Sequence, residues 1–398
     1  SSYYNIVARV TYSDGSIEPL RQDQYDISTD GKVITFSGLS KNSGNNVIVV
    51  ATVRNINPSF KSKKLNKVSS LVVSNSTSIN SGIGTTTLND GLTYNNVYGT
   101  RVQDKIISLN VPDAVRVLAV YESNTILDPN LPTLIISGNS NGNQNYVIGE
   151  QIEGKTSGAV GIIVNKIDSD KLEFVYLNEL RFSLGEVVLG EDSLEESIVS
   201  SKITGDINIT QNYLFDDGQR DTFYDYSRII RKKDIQEPTK KLKIIFQNYT
   251  IDPSDTGEFI SVNSYGSDNF KYNVPLYRSS RLTDYIDIRP RVAPYTLSSK
   301  SPFEFSARNF ASDCQYSKYI LCPGENLILS YSYYLGRIDR VFLNNDGTFD
   351  VSRGIPSSNP TPPPLKVNLL DIATIFIPPY VFNTESVAVD MSKHKRYR

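Results

Sequence analysis

Tryptophan is absent from this 398-residue chain, histidine and methionine occur once each, and cysteine occurs twice. Each scarcity removes a class of chemistry. The one imidazole, His394, sits in the basic string Met391-Ser-Lys-His-Lys-Arg-Tyr-Arg398, so a Ser-His-Asp or Cys-His nucleophile finds no base beside it. His394 reads as a solvated tail residue. Zinc asks for about four Cys, His or carboxylate ligands in closed geometry, and two cysteines with a distant histidine offer no such spacing. Cys314 and Cys322 make no disulfide framework and read as free thiols. Net charge is lacking too: 41 Lys plus Arg stand against 43 Asp plus Glu, a formal charge of -2. That gives no overall field to attract nucleic acid or an anionic membrane. The longest apolar runs, at 115–120 and 372–377, are strand-sized and far short of the roughly 20 residues of a spanning helix.

What is present points to strands. Apolar residues alternate with polar ones, and Asp-Gly, whose residues both tolerate φ > 0 in tight hairpins, occurs at 14–15, 30–31, 90–91, 217–218 and 346–347. Strand-like runs fall at 25–36, 47–53, 102–111, 115–121, 242–249, 328–336, 341–343 and 367–376. The 47–53 run has the β-branched composition of a buried sandwich strand. Only 223–233 and 279–288 offer weak amphipathic helices. The expected fold class is mainly β, with several β-sandwich or small barrel-like domains in series and little helix. A chain this long exceeds one core, so about two to four domains are expected.

The composition divides the chain as follows. Residues 1–74 read as an immunoglobulin-like β-sandwich, and 75–137 as a linker followed by strands of a second β-domain. Residues 138–206 read as a small insert, because Gly149-Glu-Gln-Ile-Glu-Gly154-Lys-Thr-Ser157 recurs 36 residues later as Gly185-Glu-Val-Val-Leu-Gly190-Glu-Asp-Ser193. Two related hairpins, projecting as a knob, are expected there. Residues 207–390 read as a larger domain rich in tyrosine, of which the chain holds 25, a residue suited to half-exposed faces and interfaces. Within it Pro356, Pro360, Pro362, Pro363 and Pro364 form a stiff extended connector. Residues 391–398 read as the basic start of a further segment. With strand-like sequence already at Ser1, the chain is expected to be part of a longer polypeptide.

Other candidate chemistry has a bland counterpart. Glycoside cleavage needs only two carboxylates, and Asp284 with Asp287 beside Arg289, or Asp221 with Asp225 beside Arg220 and Arg228, could supply them. Arginine-paired acids that fix a chain corner are the reading preferred here. Residues 344–350 hold some oxygen ligands of a calcium loop but lack its terminal Glu, and read as a hairpin turn. The basic clusters Lys61, Lys63, Lys64 and Lys67, and Arg228, Arg231, Lys232 and Lys233, lack the interleaved aromatics of a single-strand platform. They read as solvated faces or protein contacts. Gly154, Gly158 and Gly161 make no phosphate loop. The acceptor triplets at Asn75, Asn208 and Asn248 read as chance. No catalytic, cofactor-binding or metal-ligating residue is assigned, and no cofactor is expected.

Several strings carry a resemblance: Asp216-Asp-Gly-Gln-Arg220, Tyr224-Asp-Tyr-Ser-Arg228, Leu282-Thr-Asp-Tyr-Ile-Asp-Ile-Arg-Pro290, Leu335-Gly-Arg-Ile-Asp-Arg340 and Ile377-Pro-Pro-Tyr380. Their order over residues 140–398 resembles that of large baseplate or tail-associated virion structural proteins of T-even-type cyanobacterial myoviruses. The resemblance implies a structural part of a contractile-tailed phage virion, in the baseplate or tail-fibre attachment region and assembled in the host cytoplasm. The partners it implies are other tail or baseplate proteins and further copies of the chain, with neither nucleic acid nor membrane insertion. A receptor- or glycan-binding tail adhesin is the alternative, with a tail depolymerase third; the family supplies no catalytic residues.

Overall fold

A computed structural model describes residues 8–29, 33–41, 47–52, 57–74, 101–138, 140–266, 274–278, 280–296, 301–310, 321, 324, 326–381, 384 and 387–391. Cys314, Cys322, His394, Asn75, the Asp-Gly pairs at 30–31 and 90–91, and the basic string past Met391 lie outside the described residues. The chain is mainly β, with several small sheets and one closed barrel. Helix among the described residues is confined to short 3-10 turns such as Thr210–Asn212 and Leu282–Asp284. Two compact units are present, Ser1–Pro58 with Leu321–Leu329, and Ser59–Ile320 with Ser330–Arg398.

In the first unit, β1 (Ala8–Tyr12) turns through Asp14-Gly15 into β2 (Ile17–Pro19). Gly15 takes φ 82° there, the conformation for which Asp-Gly is suited. β3 (Tyr25–Ile27) pairs with β4 (Ile34–Phe36), and β5 (Val47–Ala51) pairs along the other side of β1. The 47–53 run is not buried as expected. Over β5 it is an edge strand with Val47, Ile48 and Val49 exposed.

The second unit begins with β6 (Lys63–Val73), β7 (Ile106–Pro112) and β8 (Ala114–Glu122). After an inserted barrel it continues with β15 (Ile207–Asn208), β16 (Tyr213–Asp216), β17 (Tyr226–Arg231) and β18 (Leu242–Ile251). β6, which composition groups with the first 74 residues, pairs along most of β18. The sheet β15-β8-β18-β6 faces the sheet β16-β17-β7 across Ile107, Leu109, Val120, Ile229, Leu242 and Ile244. β18 is central and buried on both faces, its Gln247 and Asn248 included. The weak helix over 223–233 is instead strand β17. Its outer turn of charge, Arg228, belongs to the alternation of a strand, with Tyr226, Ser227 and Ile229 buried.

The insert holds β9 (Thr133–Ser137), β10 (Gln151–Gly154), β11 (Val160–Ile167), β12 (Lys171–Tyr176), β13 (Val187–Gly190) and β14 (Glu196–Ile203). The repeat is larger than the expected hairpin pair. Two three-stranded copies close one barrel in the order β10-β11-β12-β9-β14-β13. Its filled interior carries matched residues 36 apart: Tyr146 with Phe182, Ile152 with Val188, and Ile163 with Val199. Each copy's glutamate reaches the other copy. Glu150 accepts the amide of Ser193 at 2.9 Å, and Glu186 accepts the amide of Ser157 at 2.9 Å and its hydroxyl at 3.0 Å. A Cβ on Gly154 would lie 2.7 Å from the Glu186 carboxylate, and one on Gly190 2.7 Å from that of Glu150. The glycines of the motif therefore make room for the crossed glutamates.

The barrel does not stand off as a free knob. Its Leu131, Ile162 and Val175 pack on Ala119, Tyr121 and Ile245, the outer face of the β8–β18 sheet. Its incoming and outgoing strands run side by side. Asp206 donates its amide to the Asn130 carbonyl at 2.9 Å and accepts the Asn130 amide at 2.8 Å, and a Cβ on Gly205 would meet Pro132 at 2.5 Å.

Beyond these, β19 (Leu276–Tyr277) and β20 (Ser280–Arg281) form a small ladder followed by a 3-10 turn, in place of the weak helix over 279–288. A last sheet follows, β21 (Arg337–Leu343), β22 (Phe349–Ser352), β23 (Leu370–Ile377) and β24 (Ala388–Asp390), in the order β22-β21-β23-β24. The crossed glutamates give the first testable outcome. Glu150→Ala and Glu186→Ala each strand backbone donors of the opposite copy, at an expected loss of about 1–3 kcal/mol apiece. Urea denaturation checks this, and a loss from only one of the two would break the assigned equivalence.

Candidate functional site

Three of the strings that carry the resemblance, at 216–220, 224–228 and 282–290, meet in space. Pro112 ends β7, and Asp113 takes φ 61°, a conformation that Asp tolerates, before β8 begins. The turn aims the Asp113 carboxylate inward, where Lys63 of β6 meets it at 2.7 Å with both side chains fully buried. Arg291 approaches the same carboxylate at 3.4 Å. The Lys63 ammonium also lies 4.9, 5.4 and 4.8 Å from the ring centroids of Tyr224, Tyr249 and Tyr265 and donates to the Tyr265 hydroxyl at 3.1 Å. Burial pushes the lysine's pKa down against the pull of Asp113. The three rings and one carboxylate replace the water that this ammonium has lost.

The next shell is built from Asp287 and Arg289. Tyr224 donates to Asp287 at 2.6 Å, and Arg289 grips the same carboxylate with its Nε at 3.0 Å and Nη2 at 2.6 Å. Burial raises the Asp287 pKa, and the Arg289 and Tyr224 bonds outweigh it, so the group is held below the ordinary value. Arg289 also donates to Gln219 at 2.9 Å and lies over the rings of Tyr224 and Tyr277. Beside it Asp216 accepts both terminal nitrogens of Arg220, at 3.0 and 2.9 Å, and Nε of Arg228 at 2.7 Å. Asp225 accepts Arg308 through both oxygens at 2.7 and 2.8 Å. Gly218 turns the chain between them, and a Cβ there would sit 2.4 Å from the Asp225 carbonyl.

Every acid proposed from sequence as half of a catalytic pair is engaged. Asp287 holds Arg289, Asp225 holds Arg308, Asp221 pairs with Arg278 at 2.8 Å and Asp284 with Arg281 at 3.6 Å. The Asp225–Arg308 and Asp287–Arg289 pairs are bidentate, a geometry that fixes angles. Residues 344–350 form the β21–β22 hairpin, with Gly347 at φ 83° and Asp346 accepting the Thr348 amide at 3.0 Å. Among the described residues, no three His, Cys, Asp or Glu side chains are grouped to hold a metal ion. The basic clusters need correcting. Lys61, Lys63 and Arg231 are buried, not solvated. The alternation Lys61-Ser-Lys63 is that of a strand with one face inward, but nothing in the local sequence signals the distant acid that compensates Lys63.

The last sheet is of a different kind. Cross-strand partners place Val341, Leu343, Phe349, Val351, Leu370, Ile375 and Val389 on one face. Phe349 is 69% exposed, Leu370 57% and Val389 57%. On the opposite face Phe342 is fully buried, and Lys366, just after the proline-rich connector, lies 5.6 Å from that ring and bonds Asp350 at 2.6 Å. The hydrophobic clusters of the described residues lie between Leu65 and Leu282, and none includes a residue of this sheet. Just ahead of it the run 328–336, expected as a strand, pairs with no strand among the described residues and exposes Tyr331, Tyr333 and Tyr334. Tyr334 packs edge-on against Tyr380 at 5.4 Å.

Two outcomes follow from the buried junction. Lys63→Met leaves Asp113 buried with only the more distant Arg291, and a loss of about 3–5 kcal/mol is expected. Adding Asp113→Asn should restore part of it, and denaturation of the two variants tests the coupling. Asp216 is pulled up by burial but held by Arg220, the Gly218 amide and Arg228 from 3.8 down to about 2. Its stabilisation is therefore complete above pH 3.8 and is lost as pH falls toward 2. Asp216→Asn should flatten that part of an acid-denaturation profile.

Residues 310–396, which include this last sheet, match the family model described as Domain of unknown function (DUF4815). Neither the curated proteins nor the solved structures give a match to the chain.

Proposed function

We propose that the chain is a structural component of a contractile-tailed bacteriophage virion, in the baseplate or tail-fibre attachment region, working through protein–protein assembly contacts. The bare apolar face of the β21–β24 sheet carries this reading. A sheet with an apolar face is stabilised by covering it, and on this face Phe349, Val351, Leu370 and Val389 stand exposed. The meeting of three of the resembling strings at a buried junction supports the same reading, because crossed arginine–carboxylate pairs stiffen a body that bears load. The phage setting rests on the resemblance alone. Depolymerisation needs two carboxylates free to work across an open groove, and the four acids weighed for it from the sequence each pair with an arginine.

A tail adhesin is the second reading, favoured by exposed Tyr331, Tyr333 and Tyr334, whose rings could stack on sugars. Density for an intact contractile-tailed particle containing this chain tests the first. The chain is expected within the baseplate or at the fibre attachment, with the β21–β24 face covered. A position free at a fibre tip, with glycan-array binding that Tyr331→Ala and Tyr333→Ala abolish, would favour the adhesin instead.

A further inference from the structure

We propose that Lys63 and Asp113 condense into an intramolecular isopeptide bond, a covalent cross-link from the first residue of β6 to the β7–β8 turn. The proposal does not depend on the phage setting. An amide between two side chains needs an amine and a carboxyl group held together, a neutral nitrogen to attack, and dry surroundings. Lys63 pairs with Ile251 of β18, and the Asp113 carbonyl accepts the Tyr249 amide of the same strand at 2.9 Å, so β18 holds both backbones in place. The two side chains then meet at 2.7 Å with neither exposed. Reactants fixed in this way act at effective concentrations on the order of 10⁵ M or more.

The charged groups that face the lysine are Asp113, Arg291 and Asp287. Burial, with Arg291 adding to it, holds the lysine's pKa down against the two acids, which favours the uncharged amine, the nucleophilic form. Asp113 has the marks of a reactant more than of a settled anion. A buried carboxylate is ordinarily met by several donors, whereas beyond the approach of Lys63 and Arg291 neither Asp113 oxygen has a hydrogen-bond partner among the described residues. The step balances without oxidant or co-reactant. The ammonium passes a proton to the carboxylate, and the Nζ lone pair adds to Cγ. The N–C bond forms as one C–O bond breaks, and that oxygen leaves as water with two of the ammonium's protons, the third staying on the amide. Arg291, 3.4 Å from Oδ2, faces the negative charge that develops on the oxygen. Its Nε has no hydrogen-bond partner among the described residues and can serve the amide carbonyl. The Tyr265 hydroxyl, 3.1 Å from Nζ, lies where protons are passed. The product removes two charges from the core, and the rings of Tyr224, Tyr249 and Tyr265 keep out the water that would reverse it.

Intact-mass spectrometry of the full chain, purified and then denatured, tests the bond. The wild-type mass is expected to fall short of the sequence mass by one water, and a protease digest should yield the peptides of Lys63 and Asp113 joined by an amide. Lys63→Arg, which keeps the cation, and Asp113→Ala should each have their full sequence masses. Both should run more slowly than the wild type on a denaturing gel, because the link closes a loop of the unfolded chain. The wild-type digest decides the matter even if neither variant folds. A wild-type chain at its full sequence mass, with the two peptides released separately, overturns the inference. So does a water lost elsewhere, such as a cyclised aspartate that the digest places at an Asp-Gly pair.

Discussion

A single buried ion pair sets the geometry of the larger unit. Lys63 comes from β6 and Asp113 from the β7–β8 turn, while the rings that enclose the ammonium come from three other places in the chain. No neighbour can move far without leaving a charge dry and unpaired, and an unpaired buried charge is among the costliest defects a core can carry. The pair need not add much net stability. What it contributes is a unique arrangement, because apolar side chains alone would tolerate several ways of crossing these segments. The arginine–carboxylate pairs at Asp216, Asp225 and Asp287 extend that constraint outward.

The barrel reaches rigidity by different means. Its interior is apolar, and among its buried polar contacts is an exchange of glutamates between two similar copies. Each carboxylate serves a turn that belongs to the other copy, so neither copy is complete by itself. The two copies have nevertheless diverged in what they touch. A Cβ on Gly149 would meet Lys67 of β6 at 2.5 Å, whereas its counterpart Gly185 has open space. One end of the pseudo-symmetric body is therefore fitted to the sandwich, and the matching end is not.

Much of the β architecture was legible because strand alternation and Asp-Gly turns are local signals. β17 shows where locality fails: Arg228 and Arg231 give the segment a helical look, but their acids, Asp216 and Glu237, are supplied by neighbouring chain only once the sheet forms. The 36-residue repeat was visible, but its meaning depended on strand pairing. The sequence exposes Glu150 and Glu186 as members of a motif and cannot say that each belongs to the other's turn. Of the acids weighed as catalytic pairs, Asp287 holds the arginine expected beside it, Arg289, whereas Asp225 and Asp221 take Arg308 and Arg278 from distant segments as their close partners in place of Arg220 and Arg228. Lys63 was hidden because its compensation comes from Asp113, fifty residues away.

The stem of the barrel carries an evolutionary consequence. Because Asp206 ties the outgoing strand to Asn130 on the incoming one, the barrel leaves the sandwich at nearly the point where it enters. A segment with adjoining ends behaves as a cassette: recombination can add it, remove it or exchange it for another body without rethreading the host sheets. Variation at this place would then change the outline of the unit while the sandwich below stayed the same.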